Sequence, residues 1–105
     1  MSQKQPSFSG ETARLRRVAG NPNVHVFYGK HARTRMIERH ISELDVKHIL
    51  GRCPVVRVEP HLGSIRWNVR GKDLDGRNVE LVVIVNEDDI EITVVTVIEK
   101  LGATP

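Results

Sequence analysis

The residues best suited to chemistry lie in one run, from Gly29 to Gly51. His31, Arg35 and Arg39 recur at four-residue spacing, which places them along one stripe of a helix. A histidine titrates near neutrality, so it can accept or release a proton under physiological conditions. Guanidinium groups one and two turns further on can grip a phosphate through paired N–H donors, and Lys30 beside His31 adds another cation. His31 suits the acid/base role, and Arg35 and Arg39 suit phosphate. Arg66 and Arg70, on the polar face of a later strand, are further candidate cations for the same anion.

Each of these residues also has a plain structural reading. His31 can cap the start of its helix. Arg35 and Arg39 can pair with Glu38, Glu43 or Asp45 and pin two helices together, and Arg66 and Arg70 can face Glu80 or Glu91 across a sheet. His40, near the apolar stripe, reads as a hydrogen-bonded core histidine. The five histidines and Cys53 show no C-x-x-C or H-E-x-x-H spacing, so no zinc site is expected. There is no Gly-rich phosphate loop and no nucleophile elbow. No cofactor is implied.

Two short helices must carry the first group. Lys30 to His40 has Ala32, Met36 and His40 at four-residue spacing, with Ile37 widening the apolar stripe. Ser42 has the chemistry of an N-cap, with Asp45 as its capping-box acid, and Ile41 and Val46 fit a hydrophobic staple. Val46, Ile49 and Leu50 supply a core face, and Gly51 reads as the stop. Strands follow. Val55 to Glu59, bounded by Pro54 and Pro60, suits an edge; Ser64 to Arg70 alternates Ile65, Trp67 and Val69 against Arg66, Asn68 and Arg70. Gly71 to Arg77 reads as a hairpin loop, Asn78 to Val85 as a central strand, and Ile90 to Glu99 as the last long strand after the Asn86–Asp89 turn. Short connections imply an antiparallel meander.

Ahead of these, residues 1–23 read as a flexible or partly helical segment, with a short basic helix over Glu11–Ala19, and Val24 to Tyr28 reads as a short strand. The expectation is one α+β domain over residues 24–100 and a frayed tail over 101–105. A length of 105 residues suits a single domain, and a formal charge of +3 agrees with a polyanionic partner without demanding one. One cysteine excludes an intramolecular disulfide framework. No run is apolar enough for a membrane span or a secretory signal, so a cytoplasmic location is the default.

The pattern His31-Ala32-x-x-Arg35-Met36-x-x-Arg39-x-Ile41-Ser42-x-x-Asp45-Val46-x-x-Ile49-Leu50 resembles a bacterial family of domains of unknown function. So do Arg66-Trp67-x-Val69-x-Gly71-x-Asp73-x-Asp75-Gly76-Arg77 and the strand Ile92-Thr93-Val94-Val95-Thr96. His40 departs from it, since the family often has Gly there. The family is grouped with the barnase–EndoU–colicin–RelE ribonuclease-like toxins. The resemblance implies a RelE-like fold, two short N-terminal helices packed on a curved four-stranded antiparallel β-sheet, with room for one extra short N-terminal strand or helix. It also implies a metal-independent endoribonuclease toxin with RNA as substrate and an antitoxin protein as partner. In that reading Thr96 occupies a recurrent hydroxyl position, and the catalytic group is His31, Arg39, Arg66 and Thr96, with Arg35, Arg70 and Lys30 binding phosphate. A non-catalytic RNA- or protein-binding module on the same fold is the alternative, and an exposed strand edge near Val55–Glu59 that pairs with a partner is a third.

Overall fold

Val69, Leu81 and Val97 stand opposite one another on three neighbouring strands, fully or almost fully buried, and mark the centre of the core. The computed structural model describes residues 7–100. Most of the polar N-terminal stretch and the whole expected tail, 101–105, fall outside those residues. In chain order the elements are α1 (Ser9–Ala19), β1 (His25–Tyr28), α2 (Lys30–Arg39), α3 (Glu43–Arg52), β2 (Val55–His61), β3 (Ser64–Lys72), β4 (Asn78–Asn86) and β5 (Glu91–Glu99).

The α+β class holds, but the expected architecture does not. Three helices pack on a five-stranded sheet of order β1-β5-β4-β3-β2, in place of two helices on four antiparallel strands. The meander from β2 to β5 is antiparallel as expected, whereas β1 joins β5 in parallel, His25 opposite Glu91 through Tyr28 opposite Val94. The physical reason is the route of the chain. The two helices α2 and α3 carry it out and back, so β2 runs opposite to β1; three antiparallel pairings then leave β5 opposite to β2 and parallel to β1.

The helices cover one face of the sheet. Leu15 and Val18 of α1, Ala32 and Met36 of α2, and Val46, Ile49 and Leu50 of α3 form one apolar cluster with the inward residues of the strands. The basic N-terminal helix therefore docks: Leu15 and Val18 are buried, the Thr12 hydroxyl accepts the Val55 N–H at 3.0 Å, and Arg14 pairs with Glu87 in the β4–β5 turn. Among the described residues no helix is long and apolar enough to cross a membrane.

The turn between α2 and α3 follows its local signals closely. Ser42 and Asp45 form a reciprocal capping box, and the staple residues Ile41 and Val46 are both buried. Four details differ. Ile37 is 76% exposed instead of widening the buried stripe, and His40 is exposed in the left-handed region at φ 55° rather than in the core. Gly51 lies inside α3, which runs on to Arg52 before Cys53 and Pro54 end it. β3 continues through Gly71 to Lys72, so the hairpin loop is shorter than expected. At Gly71 an added Cβ would lie 2.1 Å from the Cys53 sulfur, so the strand can pass there only without a side chain.

Candidate nucleic-acid interface

The face of the sheet turned away from the helices carries the polar groups. One row runs straight across four strands: Arg57 opposite Asn68, Asn68 opposite Val82, and Val82 opposite Thr96. Strand spacing makes that row about 14 Å wide. In the next row Arg70 faces Glu80, which faces Ile98, and on the other side Arg66 stands opposite Glu59. Three arginines thus share this face with a threonine hydroxyl.

Thr96 reaches it through a β-bulge. Val82 pairs with Thr96 and Val83 with Val94, so Val95 is the extra residue. Simple alternation from buried Val94 would turn Thr96 inward. The bulge resets the pleat, sends Thr96 to the helix-free face and lets Val97 fill the core.

Two buried polar side chains, Asn68 and Glu80, sit under the arginines. The Asn68 amide nitrogen donates to Glu80 Oε2 at 2.7 Å, and Arg70 Nε donates to Glu80 Oε1 at 2.8 Å, with Lys100 Nζ 3.8 Å from the same oxygen. Burial alone would raise the Glu80 carboxyl; the bonds from Asn68 and Arg70 and the charges of Lys100 and Arg70 outweigh it and hold the group below the usual carboxylate range. Arg66 Nε and Asn68 Oδ1 are buried with no hydrogen-bond partner.

Of the residues singled out in the sequence, Arg66, Arg70 and Thr96 come together on this face. Lys30, His31, Arg35 and Arg39 do not: all four are exposed on α2, in the layer behind the sheet. Arg35 makes an exposed ion pair with Glu38 at 3.5 Å, worth little in water. The two sets meet only around an edge. β1 ends at Tyr28 opposite Val94, so the edge of β5 away from β4 has no strand along it from Val95 onward, and α2 begins there, with the Gly29 N–H donating to the Val94 carbonyl at 2.9 Å. Arg33, Ile37 and His40 line the crease toward the start of α3, and helical spacing turns His31, Arg35 and Arg39 to the opposite flank of α2.

Neither Asn68, which alternation marks only as a polar-face residue, nor Arg77, which closes the hairpin motif, carries a sequence signal of its role. Arg77 donates to Asp73 at 2.8 Å and to the carbonyl oxygens of Arg39 at 2.6 Å and His40 at 3.0 Å, and lies 3.7 Å from Asp45. The Asp-x-Asp-Gly-Arg hairpin motif is therefore a clamp between the β3–β4 loop and the α2–α3 turn, with Asp45 also accepting the Leu74 N–H at 3.1 Å. Carboxylates of Asp45, Asp73 and Asp75 cluster within 4.8 Å of one another, but the Arg77 guanidinium is the cation that pairs with all three.

A family model described as a domain of unknown function, DUF4258, matches residues 28–99, from the end of β1 to the end of β5. No curated protein and no solved structure matches the chain.

Proposed function

The chain belongs to the DUF4258 family of domains of unknown function, and on that premise we propose that it binds RNA across the helix-free sheet face and cleaves it without a metal. The observation that carries this reading is the gathering of Arg57, Arg66, Arg70 and Thr96 on one face, beside the edge where the His31, Arg35 and Arg39 flank of α2 begins. RNA bound there threads its phosphates over the arginines and around the edge of β5. His31 takes the proton from a ribose 2′-hydroxyl, and O2′ attacks the adjacent phosphorus. Arg39, on the same flank as His31, stabilises the charge that builds on the phosphoryl oxygens; Lys30 and Arg35 on α2, and Arg66, Arg70 and Thr96 on the sheet face, hold neighbouring phosphates. The P–O5′ bond breaks, the proton taken up by His31 returns to the leaving O5′, and the products are a 2′,3′-cyclic phosphate and a 5′-hydroxyl. The resemblance to RelE-like and related ribonuclease toxins adds a neutralising antitoxin as proposed partner.

The test is cleavage of single-stranded RNA by the purified protein in excess chelator. Wild type is expected to yield cyclic-phosphate ends, with His31→Ala slower by about 10²–10⁴-fold and Thr96→Val also impaired. Full activity in a folded His31→Ala protein removes His31 from the mechanism. The second reading is a non-catalytic RNA-binding module. It is favoured by the exposure of His31, whose ring is not fixed by burial, and by the tie of Arg70 and Asn68 to Glu80. RNA binding that weakens steeply with salt, with no cleavage, selects that reading.

A further inference from the structure

The donors that a phosphate would need on the helix-free face already hold an anion, and that anion belongs to the protein. The Glu80 side chain is only 7% exposed, yet it lies on the face without helices. Its oxygens take an arginine N–H, an amide N–H and a nearby ammonium group, from Arg70, Asn68 and Lys100. That set, a guanidinium, an ammonium and a carboxamide converging on two oxygens, is also what binds a phosphate. The cluster is not closed on itself. A carboxylate can only accept, so the Asn68 amide is oriented with its nitrogen toward Glu80, which leaves Oδ1 without a donor. Arg66 Nε, two residues earlier on the same face, lacks an acceptor. The Arg70 side chain, by contrast, is 53% exposed and can swing from Glu80 toward solvent.

We propose that Glu80 is a built-in stand-in for phosphate, which masks Arg70 and must surrender it when RNA binds, so that this carboxylate sets how tightly the sheet face holds a polyanion. The inference rests on the reading of the face as an RNA-binding surface. Each RNA phosphate that engages Arg70 displaces an internal carboxylate instead of a mobile counterion. Affinity and salt dependence are both lower than the number of cations would give. A neutral amide of the same shape at Glu80 keeps an acceptor for Asn68 while releasing Arg70.

The experiment is a salt titration of binding between the full chain and a short fluorescein-labelled oligouridine, read by anisotropy. Glu80→Gln is expected to bind roughly three- to tenfold more tightly at low salt, with a slope of log affinity against log salt steeper by about 0.7. Adding Arg70→Gln to that variant is expected to erase the gain. Glu87→Gln, which removes the same charge in the β4–β5 turn beside Arg14, supplies the comparison. A Glu80→Gln gain no larger than that of Glu87→Gln overturns the proposal. If wild type holds no RNA, the reading of the face fails first. If wild type binds and Arg66→Gln weakens it, but Glu80→Gln behaves as Glu87→Gln, only the Glu80 inference falls. A measurement on the unaltered chain guards against a variant that does not fold. The Arg70 Nε–H resonance is expected to shift on saturation with RNA as its bond to Glu80 breaks. An Arg70 signal that stays fixed while that of Arg66 moves also overturns the proposal.

Discussion

A terminal nitrogen of the Arg77 guanidinium lies 2.6 Å from the carbonyl oxygen of Arg39, and this bond ties the end of α2 to the β3–β4 loop. The same side chain neutralises Asp73, whose side chain is fully buried. Arg77→Ala leaves that carboxylate without its cation and is expected to destabilise the fold by about 2–4 kcal/mol. Arg77→Lys restores only part, because one ammonium cannot serve the carboxylate and two carbonyls in the same plane. Urea denaturation measures both, and a loss below roughly 1 kcal/mol in the alanine variant would show that the clamp is dispensable.

Gly71 and Cys53 form a second tight pair. Gly71→Ala drives a methyl group against the Cys53 sulfur and is expected to cost roughly 1–3 kcal/mol. Cys53→Ala removes the sulfur but keeps a Cβ 2.7 Å from the added methyl, so it is expected to recover only part of that loss when the two are combined. A double-mutant cycle decides the matter: purely additive effects rule out the contact as the cause.

His40 closes α2 in the left-handed region, with φ at 55°. Only Gly adopts that conformation without steric cost, so His40→Gly is expected to stabilise the protein by about 0.5–1 kcal/mol. Thermal unfolding should show the rise. A fall would mean that the exposed imidazole contributes more than its backbone costs.

The single tyrosine permits a direct titration. Burial, with help from Glu43 and against the charge of Arg33, pushes the Tyr28 phenol up to about 12. The unfolded chain ionises near pH 10, so above that point the unfolded state has lost a proton that the folded state keeps. Stability from this group is complete below about pH 10 and is lost as pH rises toward about 12. Ultraviolet absorbance of the phenolate should show the late midpoint in native protein and an ordinary one in denaturant. Coincident midpoints would refute the burial of that hydroxyl.

Asp45 gives the opposite limb. Burial would raise its pKa, but the Ser42 N–H and hydroxyl, the Leu74 N–H and the charge of Arg77 together lower it below the usual range. Its contribution is present above the ordinary aspartate value and disappears as pH falls through the lower folded value. Ser42→Ala, which removes the capping hydroxyl, is expected to cost about 1 kcal/mol at neutral pH and to weaken the acid limb. An acid limb unchanged in Ser42→Ala would mean that other carboxylates govern it.

What could be read from the sequence was local. Ser42, Asp45, Ile41 and Val46 lie within a few residues of one another, so their types alone dictate a cap and a staple. The alternation around Trp67 likewise announces β3. The pairing of β1 with β5 depends on a parallel contact across most of the chain, and no short-range pattern encodes it. Thr96 was picked out by resemblance, but its facing depends on the bulge at Val95, which alternation alone misplaces. Nor did the histidine stripe of α2 disclose that three of its proposed partners lie on the far side of the sheet. Spacing along a helix says which residues share a flank, but not which side of another layer that flank overlooks.

The place of β5, between β1 and β4, has a consequence for the birth of the molecule. A ribosome delivers β1, α2 and α3 long before the strand on which α2 rests. Until β5 emerges, the apolar side of α2 has no platform and the Thr96 hydroxyl has not been made. The arginine-bearing surface is therefore assembled in a single late event. The polar sheet face is complete only once nearly the whole fold has been synthesised.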